Sequence, residues 1–425
     1  MRYLYSIALF FGLLPYLPGL LRRLSRSGPF GLGLRERLGQ YPEALTVRLQ
    51  GKHPLWLHSV SVGEAVVGSI LVSRLRARCP GLPLLVSTVT ATGRQVAQER
   101  IPQAEGFIYF PLDFPGPVAR ALTVVNPRLV LLTEGEIWPN FLDSCHSRKI
   151  PVLLVNGRVS RRSFQRYQLV KPLFRRVLGR IALFCMRGEV DAERILGLGA
   201  DPKRVVVTGN IKYDDEGADS QIPPHLVTMA RLMNGRPVWV AGSTHRGEED
   251  LILQAFREVY RHTPETVLIL APRHPERVPE VETLLQGGGL PFVRRTRLGE
   301  TGSRLPPVIL VDTMGELSHL YALASVVFVG GSLVPAGGHN VLEPARYRRP
   351  ILFGPHMENF AEIAEAFLVE GRAPQVHDTA ELAARVLEIF HDPSAASRMG
   401  EAAYRVLARN RGAAERTVTL IERYL

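Results

Sequence analysis

One pattern recurs along the chain and restricts its fold more than any other. A short, continuously apolar, β-branched run is followed by a turn rich in glycine and polar side chains, then by an amphipathic stretch. The runs predict strands at 55–59, 82–87, 107–110, 129–132, 152–155, 182–185 and 205–208, with helical stretches such as 65–78 and 93–100 between them. Strands apolar on both faces, spaced by helices, build a parallel sheet covered on both sides. The polar stretch 213–224, with Asp214, Asp215, Glu216 and Asp219, reads as a solvated linker. The pattern then restarts at 238–241, 267–271, 308–311, 326–329 and 351–353, and helices run to the C-terminus. The expected organisation is a hydrophobic membrane anchor over 1–26, one doubly wound α/β domain over 27–212, a linker over 213–224 and a second doubly wound domain over 225–425. Two such domains leave a deep cleft between their strand C-termini, where ligands bind in open α/β sheets.

The anchor is read from residues 3–21, which carry no charge, with Arg2 before them and Arg22, Arg23 and Arg26 after. As a helix this run would be about 28 Å long, close to one hydrocarbon thickness. Pro15, Pro18, Gly12 and Gly19 argue against a straight span, so an interfacial hairpin competes with a signal-anchor. No A-x-A-like cleavage site follows, and the flanking arginines place the rest of the chain in the cytoplasm. The net charge of +12 is carried almost wholly by arginine. Aromatic and basic residues do not interleave as they do where bases stack, so an anionic membrane or substrate explains the charge better than nucleic acid. Cys79, Cys145 and Cys185 are widely spaced and form neither a disulfide framework nor a zinc motif.

Polar residues gather just after the strands. The richest cluster is the loop 330–344, where two glycine pairs, His339, Asn340 and Glu343 follow an apolar strand. Glycine permits positive φ and close approach, and a helix from Asn340 would aim free N–H groups at an anion, best a phosphate. Glu343 suits hydroxyls, such as those of a ribose. Gly337 and Gly338 belong to the same loop. Ser243, in 241–249, suits an anion or sugar contact, and Arg273 is the best phosphate or carboxylate partner. The turn 312–317, with Met314, Gly315 and Glu316, would read a base edge through its backbone.

In the first domain Glu64 lies in the first turn of a helix, placed as a general base whose ionised form the helix N-terminus would stabilise. Glu134 and Glu136, beside Trp138, suit the hydroxyls of a carbohydrate-like acceptor. Arg158 and the arginines after it suit an acceptor carrying phosphates. Lys212 would face the cleft. No metal-ligand spacing is present, and no cofactor is implied; a donor with a single phosphate needs no bridging cation.

These motifs together resemble Kdo transferases, the 3-deoxy-D-manno-octulosonic acid transferases of lipopolysaccharide synthesis. The resemblance is carried by 61–64, 133–140, 156–160, 209–212, 241–245, 272–277, 312–317 and 330–344, in order over nearly the whole chain. It implies a GT-B fold of two Rossmann-like domains facing a cleft. It implies inverting, metal-independent transfer of Kdo from CMP-Kdo to the lipid A precursor lipid IVA at the cytoplasmic face of the inner membrane. Glu64 matches the family's base, and Arg273, Met314, Gly315, Glu316, Asn340 and Glu343 match its CMP-binding region. Gly135 departs from the bulkier residue common there. The competing readings are another membrane-associated GT-B enzyme using a nucleotide sugar, a UDP-sugar 2-epimerase, and a catalytically silent nucleotide-binding protein. On the first reading the base and the donor loop stand on opposite domains, and turnover would need those domains to close.

Overall fold

A computed structural model of the chain describes residues 5–6, 30–215, 224–300, 305–369 and 373–425. They fall into two compact units, one within Met1–Asp215 plus Asn410–Leu425, the other within Glu216–Arg409.

The first unit is built on seven parallel strands: β1 (Leu55–His58), β2 (Leu84–Thr88), β3 (Gly106–Tyr109), β4 (Leu129–Thr133), β5 (Val152–Gly157), β6 (Leu183–Met186) and β7 (Val205–Val207). Their order is β3-β2-β1-β4-β5-β6-β7, so the direction of winding reverses between β1 and β4. Every residue of β1, β2, β4, β5 and β6 is buried, as continuous apolar runs require. Side chains alternate across the sheet. Trp56 packs with Phe110, Phe141 and Phe184 on one face, while Leu55 and Leu57 join Ile70, Leu71 and Val86 on the other.

Helix α1 (Val62–Arg78) follows β1 and buries Val67, Leu71 and Leu75 at helical spacing. Each such side chain contributes roughly 1.5–3 kcal/mol when removed from water. Helix α2 (Pro139–Ser147) follows β4, and its first amides are taken up by Asp113, whose carboxylate accepts from the N–H groups of Asn140 at 3.1 Å and Phe141 at 2.8 Å. Two short helices, α3 (Arg161–Gln168) and α4 (Lys171–Leu178), follow β5.

The second unit has six parallel strands: β8 (Val238–Thr244), β9 (Val267–Pro272), β10 (Phe292–Arg294), β11 (Val308–Leu310), β12 (Val326–Val329) and β13 (Ile351–Phe353). Their order is β10-β11-β9-β8-β12-β13, and the winding reverses between β8 and β12. The edge strand β10 is an addition to the expected five. It is three half-buried residues long, too short for an apolar run to announce it. Helix α5 (Glu248–His262) follows β8, and α6 (Leu342–Arg346) follows the glycine-rich loop.

The last helix, α7 (Ala413–Ile421), corrects the expected boundary of 225–425, because it belongs to the first unit. Ala413, Ala414, Val418 and Ile421 are buried in the cluster that holds Leu57 and Ile70. The Asp214 carboxylate caps this helix by accepting from the N–H groups of Gly412 at 2.5 Å and Ala414 at 2.6 Å. Of the expected linker, 216–223 lie outside the described residues, as does the proposed anchor over 1–26 apart from Tyr5 and Ser6. Among the described residues no helix is long and apolar enough to cross a membrane.

Candidate active site

In the first unit the chemistry collects at the switch point, where β1 and β4 lie side by side. Glu64, in the first turn of α1, is 8% exposed. Its carboxylate accepts from the Val60 N–H at 2.9 Å, from the Thr133 hydroxyl at 2.8 Å and from the Ser61 hydroxyl at 3.2 Å. Thr133 is the last residue of β4, so this bond crosses the switch point. The helix N-terminus was expected to favour the ionised form. Burial outweighs it, and the pKa of Glu64 is raised, against the pull of the Val60 and Thr133 bonds.

Two further carboxylates follow Thr133. Glu134 takes left-handed backbone, φ 54°, and its Oε1 lies 3.2 Å from Lys212 Nζ. A non-glycine residue held there marks a turn constrained by its surroundings. Here the constraint is visible, since the Glu134 N–H donates to Val155 O at 3.0 Å and the Arg158 N–H donates to Glu134 O at 3.1 Å. Glu136 has its pKa lifted to about 7, first by burial and then by the charge of Glu64. Lys212 is delivered by a short turn, Ile211–Asp214. Asn156, also at positive φ, accepts from the Ile211 N–H at 2.9 Å, and Asp214 ties the far side of the turn to α7. A Cβ placed on Gly63 would lie 4.0 Å from Lys212 Nζ, so this ammonium reaches the turn that carries Glu64. The structure thus brings Glu64, Glu134, Glu136 and Lys212 together and sets the Arg158 backbone against the Glu134–Gly135 turn. Thr133 and Asn156 open the motifs 133–140 and 156–160, but no role was read for either from sequence; both are strand-end polar residues buried where apolar ones are the rule.

In the second unit the loop after β12 differs from expectation in three ways. The helix from Asn340 is only α6, five residues long, which supplies little dipole. The close approaches at Gly337 (φ 92°) and Gly338 (φ 71°) are to the protein itself, since a Cβ would collide with Asn359 and Met357 respectively. The amides at the start of the loop already have an anion. The N–H groups of Gly331, Ser332 and Leu333 donate to the Glu248 carboxylate at 2.7, 3.0 and 2.9 Å, joined by His245 N–H at 3.1 Å.

The remaining candidates frame this loop. Ser243 takes positive φ, 58°, at the end of β8. Arg273, after β9, is exposed, and among the described residues no carboxylate pairs with it. Arg277, four residues on, is instead clamped by the buried Glu249 at 2.8 and 3.1 Å. The rings of His245 and His339 stack, with their Nε2 atoms 2.9 Å apart, so one donates and the other accepts. Burial, and next the charge of Arg273, holds His339 down at about 4. Asn340 Oδ1 accepts from the Leu342 N–H at 3.1 Å while its Nδ2 donates to Glu343 at 3.2 Å, which orients that carboxylate. Met314 is 68% exposed and Gly315 has open space beside it. Glu316 pairs with Arg295 at 2.5 Å and accepts from the Thr313 hydroxyl at 2.8 Å. That turn follows β11, two strands away from β8. Among the described residues no three His, Cys, Asp or Glu side chains gather as metal ligands would.

The profile of the family described as 3-Deoxy-D-manno-octulosonic-acid transferase (kdotransferase) matches residues 33–215. The chain is 35% identical over 393 residues to the 3-deoxy-D-manno-octulosonic acid transferase of Haemophilus influenzae, covering 92% of this chain and 91% of the relative. To the enzyme of that name from Bordetella pertussis it is 34% identical, over 88% of this chain and 87% of the other. Among solved structures, the UDP-GlcNAc 2-epimerase of Neisseria meningitidis aligns with a TM-score of 0.58 at 14% identity, covering 87% of this chain and all of its own. A glycosyltransferase from Rickettsia africae aligns with a TM-score of 0.57 at 12% identity, covering 87% of this chain and 98% of its own. These structural likenesses are of fold alone, and that fold is the GT-B-like α/β arrangement of parallel sheets.

Proposed function

The chain belongs to the family of 3-deoxy-D-manno-octulosonic acid (Kdo) transferases and is a glycosyltransferase, and from that premise we propose that it transfers Kdo from CMP-Kdo to lipid IVA. The reaction is inverting and metal-independent, and it runs at the cytoplasmic face of the inner membrane. Glu64 takes the proton of the lipid 6′-hydroxyl as that oxygen attacks the anomeric carbon of Kdo. The bond from that carbon to the phosphate oxygen breaks, and CMP leaves with the electron pair.

The observation that carries this reading is the state of Glu64. It is a buried carboxylate whose pKa is raised, fixed by three donors at a switch point. A base in this state takes a proton more readily than an exposed glutamate does. Lys212 and Glu134 line the same turn and suit the acceptor sugar. Arg273 suits the CMP phosphate or the Kdo carboxylate, and Asn340 with Glu343 suits the ribose.

A lipid acceptor draws support from the α3–α4 hairpin. Leu169, at its tip, is 86% exposed and Val170 is 45% exposed. Around them Arg161, Arg162, Arg166, Lys171, Arg175 and Arg176 are all exposed, and no acidic residue occurs between Arg158 and Arg187. Apolar residues at the tip of a basic surface suit an anionic bilayer and a phosphorylated lipid. The test is mass spectrometry of lipid IVA after incubation with the protein and a CMP-Kdo generating system. A gain in mass by whole Kdo units is expected. No gain with CMP-Kdo, but transfer from a different nucleotide sugar, would overturn the donor assignment.

A further inference from the structure

Glu248 has no place in the transfer chemistry, yet it is among the most heavily bonded carboxylates of the second unit. It is fully buried, and its two oxygens accept from four backbone N–H groups. Three of these belong to consecutive residues, with Gly331 at φ 67°, a geometry that turns successive amides toward one point. Burial raises the pKa of this carboxylate, and the four N–H donors pull the other way, toward the charged form. A donor phosphate at these amides would have to displace it.

We propose that Glu248 is a positioning residue for donor binding, a built-in anion that holds the turn Gly331–Ser332–Leu333 in its ligand-ready shape. The proposal rests on the CMP-sugar reading above. The path from Glu248 to the donor residues is continuous. Gly331, held by its amide, accepts through its carbonyl from the Gly338 N–H at 2.8 Å. Gly338 is followed by His339 and by Asn340, which orients Glu343. His245 is held by its own amide on Glu248, and its ring meets His339 from the other side. Releasing the carboxylate therefore loosens both ends of the donor loop at once. Ser332 fixes the opposite side of the turn, where its hydroxyl donates to Val329 O at 2.5 Å and accepts from the Gly354 N–H at 2.8 Å. The turn is thus hinged on one side and clamped by a removable anion on the other.

The neighbouring Glu249 supplies the comparison. It is equally buried, but its partners are Arg277 and Thr244, with no bond to the loop.

The full-length protein and its Glu248→Gln, Glu248→Ala and Glu249→Gln variants test the idea by amide hydrogen exchange, CMP binding and steady-state kinetics. Glu248→Gln puts an amide N–H among four N–H donors. Exchange should rise in peptides covering 330–340 and stay unchanged in those covering β8 and β9. The CMP dissociation constant should rise about tenfold or more, the scale set by one or two buried donors left without an acceptor. KM for CMP-Kdo should rise with it, while kcat changes much less. In Glu248→Ala, added formate should restore both the exchange protection and the CMP affinity, and formamide should restore neither. Glu249→Gln should leave exchange in 330–340 as it is. The proposal is overturned by wild-type loop exchange in the Glu248 variants, or by a loss that spreads over the whole unit and does not respond to formate. Should the wild-type protein bind no CMP, the donor reading fails, while loop exchange and its formate rescue still decide the role of Glu248.

Discussion

Glu64 and Glu248 occupy the same address in the two units. Each lies in the first turn of the helix that follows the strand at its sheet's switch point, β1 in one and β8 in the other. Each is buried, each has its pKa raised by that burial, and each accepts bonds from the end of the neighbouring strand across the switch point. The difference lies in the donors. Two of Glu64's three partners are hydroxyls, which can turn and accept from a protonated carboxyl. All four of Glu248's partners are backbone amides, which cannot turn. Protonating Glu248 would set an O–H against fixed N–H groups. On the roles proposed above, the kind of donor, more than burial or position, separates the base from the brace.

The sharpest way to break this comparison is to make both carboxylates amides. Glu64→Gln should lower turnover by about 10²–10⁴-fold, the range of general-base catalysis, and leave CMP affinity unchanged, because its contacts all lie in the first unit. Single-turnover assays with CMP calorimetry check this. Retention of more than a tenth of wild-type turnover removes Glu64 as the base. Glu248→Gln should show the reverse profile, with the loss in CMP affinity and KM. Equal profiles for the two variants would dissolve the distinction drawn here.

Much of this was legible beforehand. Strands with continuous apolar runs declare themselves, and so does a carboxylate three residues after Ser61 at a strand end. What escaped were relations between distant residues. Glu248 opens a run of three acidic residues at a helix start, and its partners in the loop lie 83, 84 and 85 residues downstream. The amphipathic pattern of α7 gives it a buried face without saying which sheet that face covers; Val418 and Ile421 return to the first unit. The loop 330–344 was readable as an anion site, but its glycines could not reveal that the amides of Gly331, Ser332 and Leu333 bond Glu248 or that Asn359 and Met357 lie against Gly337 and Gly338. The partner of Glu316 was hidden in the same way, since only the fold brings Arg295 to it.

An intermediate effect comes from Glu134→Gln. The charge of Glu134 raises the pKa of both Glu64 and Glu136. Removing it lowers both, so the acid limb of kcat/KM should move to lower pH. Turnover at the optimum should also drop severalfold as the Lys212–Glu134 ion pair is lost. A pH–rate profile checks the sign. An upward shift would mean that the limb belongs to another group. Because Glu64 and Glu136 interact, the limb reports the pair.

The smallest effect isolates the hydroxyls on which the comparison depends. The Thr133 bond lowers the pKa of Glu64, so Thr133→Val should raise it further. The base must be ionised to act, so the acid limb moves to higher pH. Activity on the acid side of the limb should fall, while the alkaline plateau stays near wild type. Ser61→Ala removes the longer bond, at 3.2 Å, and should shift the limb the same way by less. Neither change should alter loop exchange or CMP affinity in the second unit. If Thr133→Val lowers the plateau as much as the acid side, the hydroxyl positions the carboxylate rather than tuning its proton, and Glu64 would then resemble Glu248 more closely than its partners suggest.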